Sequence, residues 1–250
     1  MPCEAIHDAY NLGGRLAVVT GASGGIGRAV ALALAERCGE VCIVGRDSSR
    51  LAATASAAPP PARITPFPLD LTVAEDVLSL RQYLENGKGT LDILIHCAGT
   101  LRQDPVERAR IEDFDLQYAT NLRAPYRLTQ LLLPLLRAAR GQIVFVNSSV
   151  GLAAKRAEIG QYAATKHALK AVADSLREEV NPDGIRVLTL YVGRVATPMQ
   201  ESVHKQEGKA YHPENLLQPA DIGTVIVQSL MLPYTAEITD MNIRPMRKPS

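Results

Sequence analysis

No tryptophan occurs among the 250 residues, so indole fluorescence cannot report ligand binding in this chain. Cysteine is sparse: Cys3, Cys38, Cys42 and Cys97 form no C-x-x-C pair and have no histidine partners at zinc spacing. That excludes a structural zinc site and reads as reduced thiols in a reducing compartment. An excess of one charge sign is missing as well, with 27 basic against 26 acidic residues. Such a balance supplies no field to recruit nucleic acid or an anionic membrane. Long hydrophobic runs are absent too. The most apolar stretch, Leu128 to Ala139, is broken by Gln130, Pro134 and Arg137 and cannot span a bilayer. Met1 to Leu12 carries Glu4 and Asp8 with neither a basic start nor an apolar centre, so no signal peptide is expected there. The expectation is a soluble, cytoplasmic protein with no metal, no nucleic-acid partner and no membrane association.

What is present is an alternation. Short β-branched runs at Leu16 to Val19, Val41 to Val44, Ile64 to Leu69, Leu91 to Ile95, Gln142 to Val146, Arg186 to Leu190 and Glu237 to Ile243 read as strands. Between them, segments of helical period run over Ile26 to Arg37, Ser48 to Ala58, Val73 to Glu85, Ile111 to Arg137, Tyr162 to Val180 and Asp221 to Leu230. The prolines within Ile64 to Leu69 suit an outer strand. Alternation with short links predicts an α/β fold: a doubly wound Rossmann-type parallel sheet of about seven strands, with helices on both faces. The length suits one domain over residues 1–250, with 1–13 and 246–250 expected as flexible ends.

Three patterns carry chemistry. Thr20-Gly21-Ala22-Ser23-Gly24-Gly25-Ile26-Gly27 sits where the first strand hands over to the first helix. Glycines there permit a tight turn and close approach to a pyrophosphate, which the helix N–H groups then face. The second strand ends Val44-Gly45-Arg46-Asp47. An arginine at that position suits a ribose 2′-phosphate and favours NADP over NAD, the alternative being a surface arginine paired with Asp47. Tyr162 and Lys166 stand at i and i+4 of a helix and share a face. An ammonium beside a phenol favours phenolate, making Tyr162 a candidate acid/base near neutral pH.

Together these motifs resemble the short-chain dehydrogenase/reductase family, over about Leu16 to Ile243. The family's T-G-x-x-x-G-x-G is matched by Thr20, Gly21, Gly25 and Gly27, and its aspartate after the third strand by Asp70. His96-Cys97-Ala98-Gly99 stands at N-N-A-G, Asn121 at the active-site asparagine, and Tyr162 with Lys166 at Y-x-x-x-K. Val192-Gly193-Arg194-Val195-Ala196-Thr197 stands at P-G-x-x-x-T. The resemblance implies a catalytic set of Asn121, Ser148, Tyr162 and Lys166. It implies cofactor contacts from Gly21, Ser23, Gly25, Ile26, Gly27, Arg46, Asp70, Leu71, Ala98, Gly99, Tyr162, Lys166, Val195 and Thr197. In those roles Tyr162 exchanges a proton with the substrate oxygen and Lys166 holds the nicotinamide ribose and lowers the tyrosine pKa. A serine stabilises the carbonyl oxygen, and Asn121 helps fix a water linking Lys166 to solvent.

The match is not complete. His96 and Cys97 replace asparagines that tie neighbouring strands, and Val192 replaces a proline, which should loosen a turn beside the nicotinamide. The serine has two candidates. Strand register ahead of Gly151 selects Ser148, whereas the family's usual spacing back from Tyr162 selects Ser149; register is preferred because it fixes side-chain direction. Pro198 to Pro219 is polar and mixed in charge, which suits either a lid over a small carbonyl or alcohol substrate or a plain solvent loop. His204 and His212 lie in that segment without metal spacing, and His167 is expected on a helix surface. The family commonly pairs its long helices between subunits, implying a homodimer or homotetramer. The implied activity is NADP(H)-dependent interconversion of a carbonyl and a secondary alcohol. A non-catalytic dinucleotide sensor of the same fold is the rival, and the intact Asn, Ser, Tyr and Lys set argues against it.

Overall fold

A computed structural model describes residues 11–247. Its strands are β1 (Leu16–Thr20), β2 (Glu40–Gly45), β3 (Ile64–Pro68), β4 (Ile93–His96), β5 (Gln142–Ser148), β6 (Arg186–Val192) and β7 (Asp240–Ile243). They form one sheet in the order β3-β2-β1-β4-β5-β6-β7. Every neighbouring pair is parallel. The strand carrying Pro66 and Pro68 lies at the sheet edge, where a missing N–H costs least. The chain reverses direction across the sheet between β1 and β4. Loops leaving those two strands diverge there and open a crevice at their carboxyl ends.

The helices are α1 (Gly25–Ala35), α2 (Ser48–Ser56), α3 (Ala74–Asn86), α4 (Ile111–Tyr118), α5 (Ala124–Ala139), α6 (Gly160–Val180), α7 (Pro198–Gln206) and α8 (Pro219–Leu230). Period-two alternation along the strands divides the core into two layers. Ala17, Val19, Val41, Ile43 and Ile95 pack with Val30 and Leu34 of α1 and Ile222 and Ile226 of α8. Leu16, Val18, Cys42, Val44 and Leu94 pack on the other side with Leu80 of α3, Leu128 and Leu132 of α5, and Leu169 and Ala173 of α6. Strands apolar on both faces are what a fully covered parallel sheet requires.

Four details differ from the expectation. Ile111 to Arg137 is not one α-helix, because a π turn at Ala119–Arg123 joins α4 to α5. The last strand begins at Asp240, and Glu237 instead accepts the Val187 N–H through Oε1 at 2.8 Å. Val192 does not loosen a turn; it extends β6 by pairing with Ser148 and Ile243. The polar segment after β6 starts as helix α7, capped by Thr197, whose hydroxyl accepts the Gln200 N–H at 3.2 Å. The expected flexible ends fall largely on residues 1–10 and 248–250, which lie outside the described residues. Leu12 is buried in the α1–α8 layer, and Met246 is exposed. No helix among the described residues is long and apolar enough to cross a membrane.

Candidate active site

The glycine turn is built by close approach. Gly21 has φ +67°, and a Cβ there would lie 2.8 Å from the Ala98 backbone. At Gly27 a Cβ would stand 2.4 Å from Gly21 O, so only glycine lets α1 settle on the turn. Thr20 Oγ1 accepts the Cys97 and Ala98 N–H groups at 3.1 and 3.2 Å and contacts Ile95 O at 3.3 Å. One buried hydroxyl thereby joins the ends of β1 and β4, although the two asparagines of the family pattern are missing.

A groove of ≈ 420 Å³ opens at this turn, lined by Gly21, Ser23, Gly25, Ile26, Gly27, Arg46, Asp70, Leu71, Ala98, Gly99 and Thr197. No side chain caps the start of α1 and no acidic residue occupies its first turn, so its N–H groups suit an anion. Asp47 caps α2 instead, accepting the Arg50 N–H at 3.0 Å. Arg50, which the sequence reading missed, lines the groove beside Arg46. A Cβ on Gly24 would meet the Arg50 guanidinium at 2.6 Å, so this side chain lies across the glycine turn. The available signal was its place on the first turn of α2, directly after the Arg46-Asp47 strand end. Partial burial raises the Asp70 pKa. Hydrogen bonds from the Thr72 N–H (2.8 Å) and hydroxyl (2.7 Å), with the Arg46 charge, outweigh it and hold the carboxyl below its ordinary value. These residues fit an anionic dinucleotide: a side-chain-free turn, bare helix N–H groups, two guanidinium groups and an ionised aspartate.

Beside the groove lies a cavity of ≈ 280 Å³ lined by Ser148, Ser149, Tyr162, Lys166 and Val195, with Gly99 and Thr197 common to both. Tyr162 and Lys166 project from one face of α6, the Lys166 Nζ 5.8 Å from the Tyr162 ring centroid. Ser148 ends β5 opposite Val192, and Ser149 begins a short 3-10 turn. Of the two serines, it is Ser148 whose side chain acts on the Tyr162 phenol, and its Oγ also accepts the Val150 N–H at 3.4 Å. Burial pushes the Tyr162 phenol up to about 12, and the neighbouring Ser148 side chain opposes the rise. The expected lowering by Lys166 is not what dominates here. Burial likewise pushes Lys166 down to about 8, opposed by Cys97, and its Nζ donates to Val146 O at 3.4 Å.

Asn121 lines neither cavity. It is buried in the π turn, where Oδ1 accepts the Thr100 N–H (2.8 Å) and Nδ2 donates to Thr100 O (2.9 Å) and Thr165 Oγ1 (3.1 Å). The Asn121 carboxamide also stands behind Gly99, where a Cβ would lie 3.4 Å from Oδ1. A second missed residue is Asn147, which is buried. Its Nδ2 donates to Lys166 O at 3.0 Å and its Oδ1 accepts the Ser148 N–H at 2.8 Å, fixing β5 against α6 at Ser148 and Lys166. A buried amide directly before the serine pair was the clue. His96 is buried, with Nε2 2.8 Å from Thr129 Oγ1 and its ring stacked on Phe145. His167 lies exposed on α6, as expected. His204 does not lie in a solvent loop. It is buried on α7, its Nε2 3.2 Å from Arg194 Nη1.

Known proteins share this architecture. An alcohol dehydrogenase from the archaeon Thermococcus sibiricus, complexed with 5-hydroxy-NADP, is 26% identical with a TM-score of 0.83, covering 94% of this chain and 99% of that one. A short chain dehydrogenase structure from Shigella flexneri 2a, complexed with NADP, is 31% identical with a TM-score of 0.84, covering 94% and 98%. An uncharacterized oxidoreductase of Staphylococcus epidermidis is 29% identical over 233 residues, 93% of this chain and 97% of its own length. A family model for short chain dehydrogenase matches residues 15–208, and with strand order, glycine turn and tyrosine–lysine helix in agreement the chain belongs to the short-chain dehydrogenase family.

Proposed function

We propose that the protein is an NADP(H)-dependent oxidoreductase that interconverts a carbonyl and a secondary alcohol on a small molecule. The observation that carries this reading is the Tyr162 phenol, in one cavity with Ser148 and sharing a helix face with Lys166, at the border of a groove suited to a dinucleotide. Arg46 and Arg50 bind the ribose 2′-phosphate, the glycine turn faces the pyrophosphate, and Asp70 lies on the adenine side. Two similar structures complexed with NADP or 5-hydroxy-NADP support that cofactor choice. When bound, NADPH supplies a hydride to the carbonyl carbon.

The protein supplies the proton and the electrostatics. Ser148 donates to the carbonyl oxygen, and Tyr162 gives its proton to that oxygen as negative charge develops. Lys166 then stabilises the phenolate left on Tyr162, and its lowered pKa allows it to pass a proton on near neutral pH. Asn121 holds Thr100 and Thr165, and so holds the Gly99 loop against α6. Alcohol oxidation runs the same steps in reverse.

Tyr162→Phe tests the reading. NADPH affinity should stay within about twofold by calorimetry, while turnover of any carbonyl found to be reduced falls by ~10²–10⁴. Reduction at the wild-type rate by this variant would remove Tyr162 from the mechanism. Binding of NADPH with no turnover by the wild-type protein on a broad carbonyl panel would favour the sensor.

A further inference from the structure

The cavity beside Tyr162 has an unbalanced wall. Arg156, Lys166 and Arg194 line it, and no aspartate or glutamate does. Lys166 is engaged at Tyr162, which leaves the two arginines. Arg194 follows Gly193, whose N–H donates to Ile243 O at 2.8 Å, so it leaves the sheet from a fixed point. Arg156 comes from the loop between β5 and α6. Both reach one carboxylate outside the cavity wall. Arg194 Nη2 lies 3.1 and 3.0 Å from Glu207 Oε1 and Oε2, and Arg156 Nη2 lies 2.9 Å from Oε1. His204 Nε2 accepts from Arg194 Nη1 at 3.2 Å, bracing the guanidinium on a second side. One glutamate behind the wall is shared by two arginines that line it, so the positive charge at the cavity is only partly balanced. Lys209 also touches Glu207, from the exposed side, and does not line the cavity.

We propose that the substrate carries a carboxylate, held by Arg156 and Arg194 while its carbonyl lies at Ser148 and Tyr162. Glu207 is a positioning residue that draws the β5–α6 loop and the end of β6 to one point. Planar guanidinium groups hold a carboxylate in a defined orientation, which a lysine pair would not. The inference rests on the reductase reading above and narrows it to keto acids and hydroxy acids.

The test pairs short keto acids with their methyl esters on the same carbon skeletons, following NADPH absorbance with wild type, Arg194→Gln and Arg156→Gln. Wild type should prefer the acid by about tenfold or more in kcat/KM, and each variant should lower the acid rate about tenfold while the ester rate stays within about twofold. Equal use of ester and acid by wild type overturns the proposal. So does an equal loss on both by the variants, which is what a purely structural role predicts. Calorimetric titration of the NADP-loaded protein with succinate, against dimethyl succinate, separates the two levels of the argument. Succinate binding weakened at least about fivefold by each variant, with no carbonyl reduced, would retain the carboxylate site and sink the reductase. Esters reduced, with succinate binding indifferent to both arginines, would retain the reductase and sink the carboxylate site.

Discussion

Acidification from about pH 7 to about pH 4.5 interrogates the buried end of β4. His96 stacks on Phe145 with ring centroids 4.8 Å apart, and burial pushes its pKa from 6.5 down to about 3. The folded ring therefore stays neutral at pH values where the unfolded chain has already taken up a proton. The unfolded state binds more protons, so stability falls as pH drops through 6.5 and the loss levels off only below about 3. Two pH units below the unfolded value, this one side chain costs about 2–3 kcal/mol. His96→Asn places a non-titrating residue there and removes that term. With a urea m-value of about 2–3 kcal/mol/M for a chain of this size, the wild-type midpoint should fall about 1 M further than the variant's over the same pH step. Far-UV circular dichroism is the probe, since no indole is available. Acid-sensitive carboxylates act equally on both proteins and cancel in the comparison. Parallel losses, within about 0.3 M of each other, would mean that His96 is not held neutral in the fold and that the burial argument fails.

Gly21→Ala sets a Cβ 2.8 Å from the Ala98 backbone at φ +67° and should cost about 2 kcal/mol or more in thermal unfolding, with NADPH binding weakened at least about tenfold; an unchanged Tm and Kd would contradict the close-approach account. Arg50→Ala and Arg46→Asp should each weaken NADPH binding about tenfold while leaving NADH within about twofold in parallel titrations; equal losses for both cofactors would remove these residues from 2′-phosphate recognition. Burial pushes the Cys38, Cys42 and Cys97 thiols up to about 12, so in a Cys3→Ser background an aromatic disulfide reagent at about pH 8 should label the native protein only after urea is added. Prompt labelling before urea would reveal an accessible thiolate.

The strands and most helices were legible because burial on both faces of a parallel sheet writes itself locally, as in Leu16-Ala17-Val18-Val19. The glycine turn and the shared helix face of Tyr162 and Lys166 were legible for a related reason: each depends on spacing within one element. What escaped depends on contacts between distant segments. Glu207 looked like one charge in a polar stretch, yet it meets Arg156 and Arg194 behind the cavity wall. His204 looked solvated until the fold set it against Arg194. Helix α7 could have been found, since Thr197 followed by Pro198 and Gln200 is a helix-start pattern. Its polar composition hid it. The phenol pKa was misjudged because sequence supplies the neighbouring ammonium but not the depth of burial, which here has the larger effect.

The π turn at Ala119–Arg123 sets the phase between the two halves of a long helix. In regular winding Gln117, Asn121, Leu128 and Leu132 would fall along one stripe. A polar pair and a leucine pair would then compete for the same direction. One extra residue in the turn offsets the second half by about 100°, so the amides face the Gly99 loop and α6 while the leucines lie on the sheet. Regular winding of the undeleted sequence through Ala119–Arg123 would bring the stripes back into line and misdirect either the Asn121 carboxamide or the leucines, whereas deleting one residue there would remove the bulge and keep the two stripes apart.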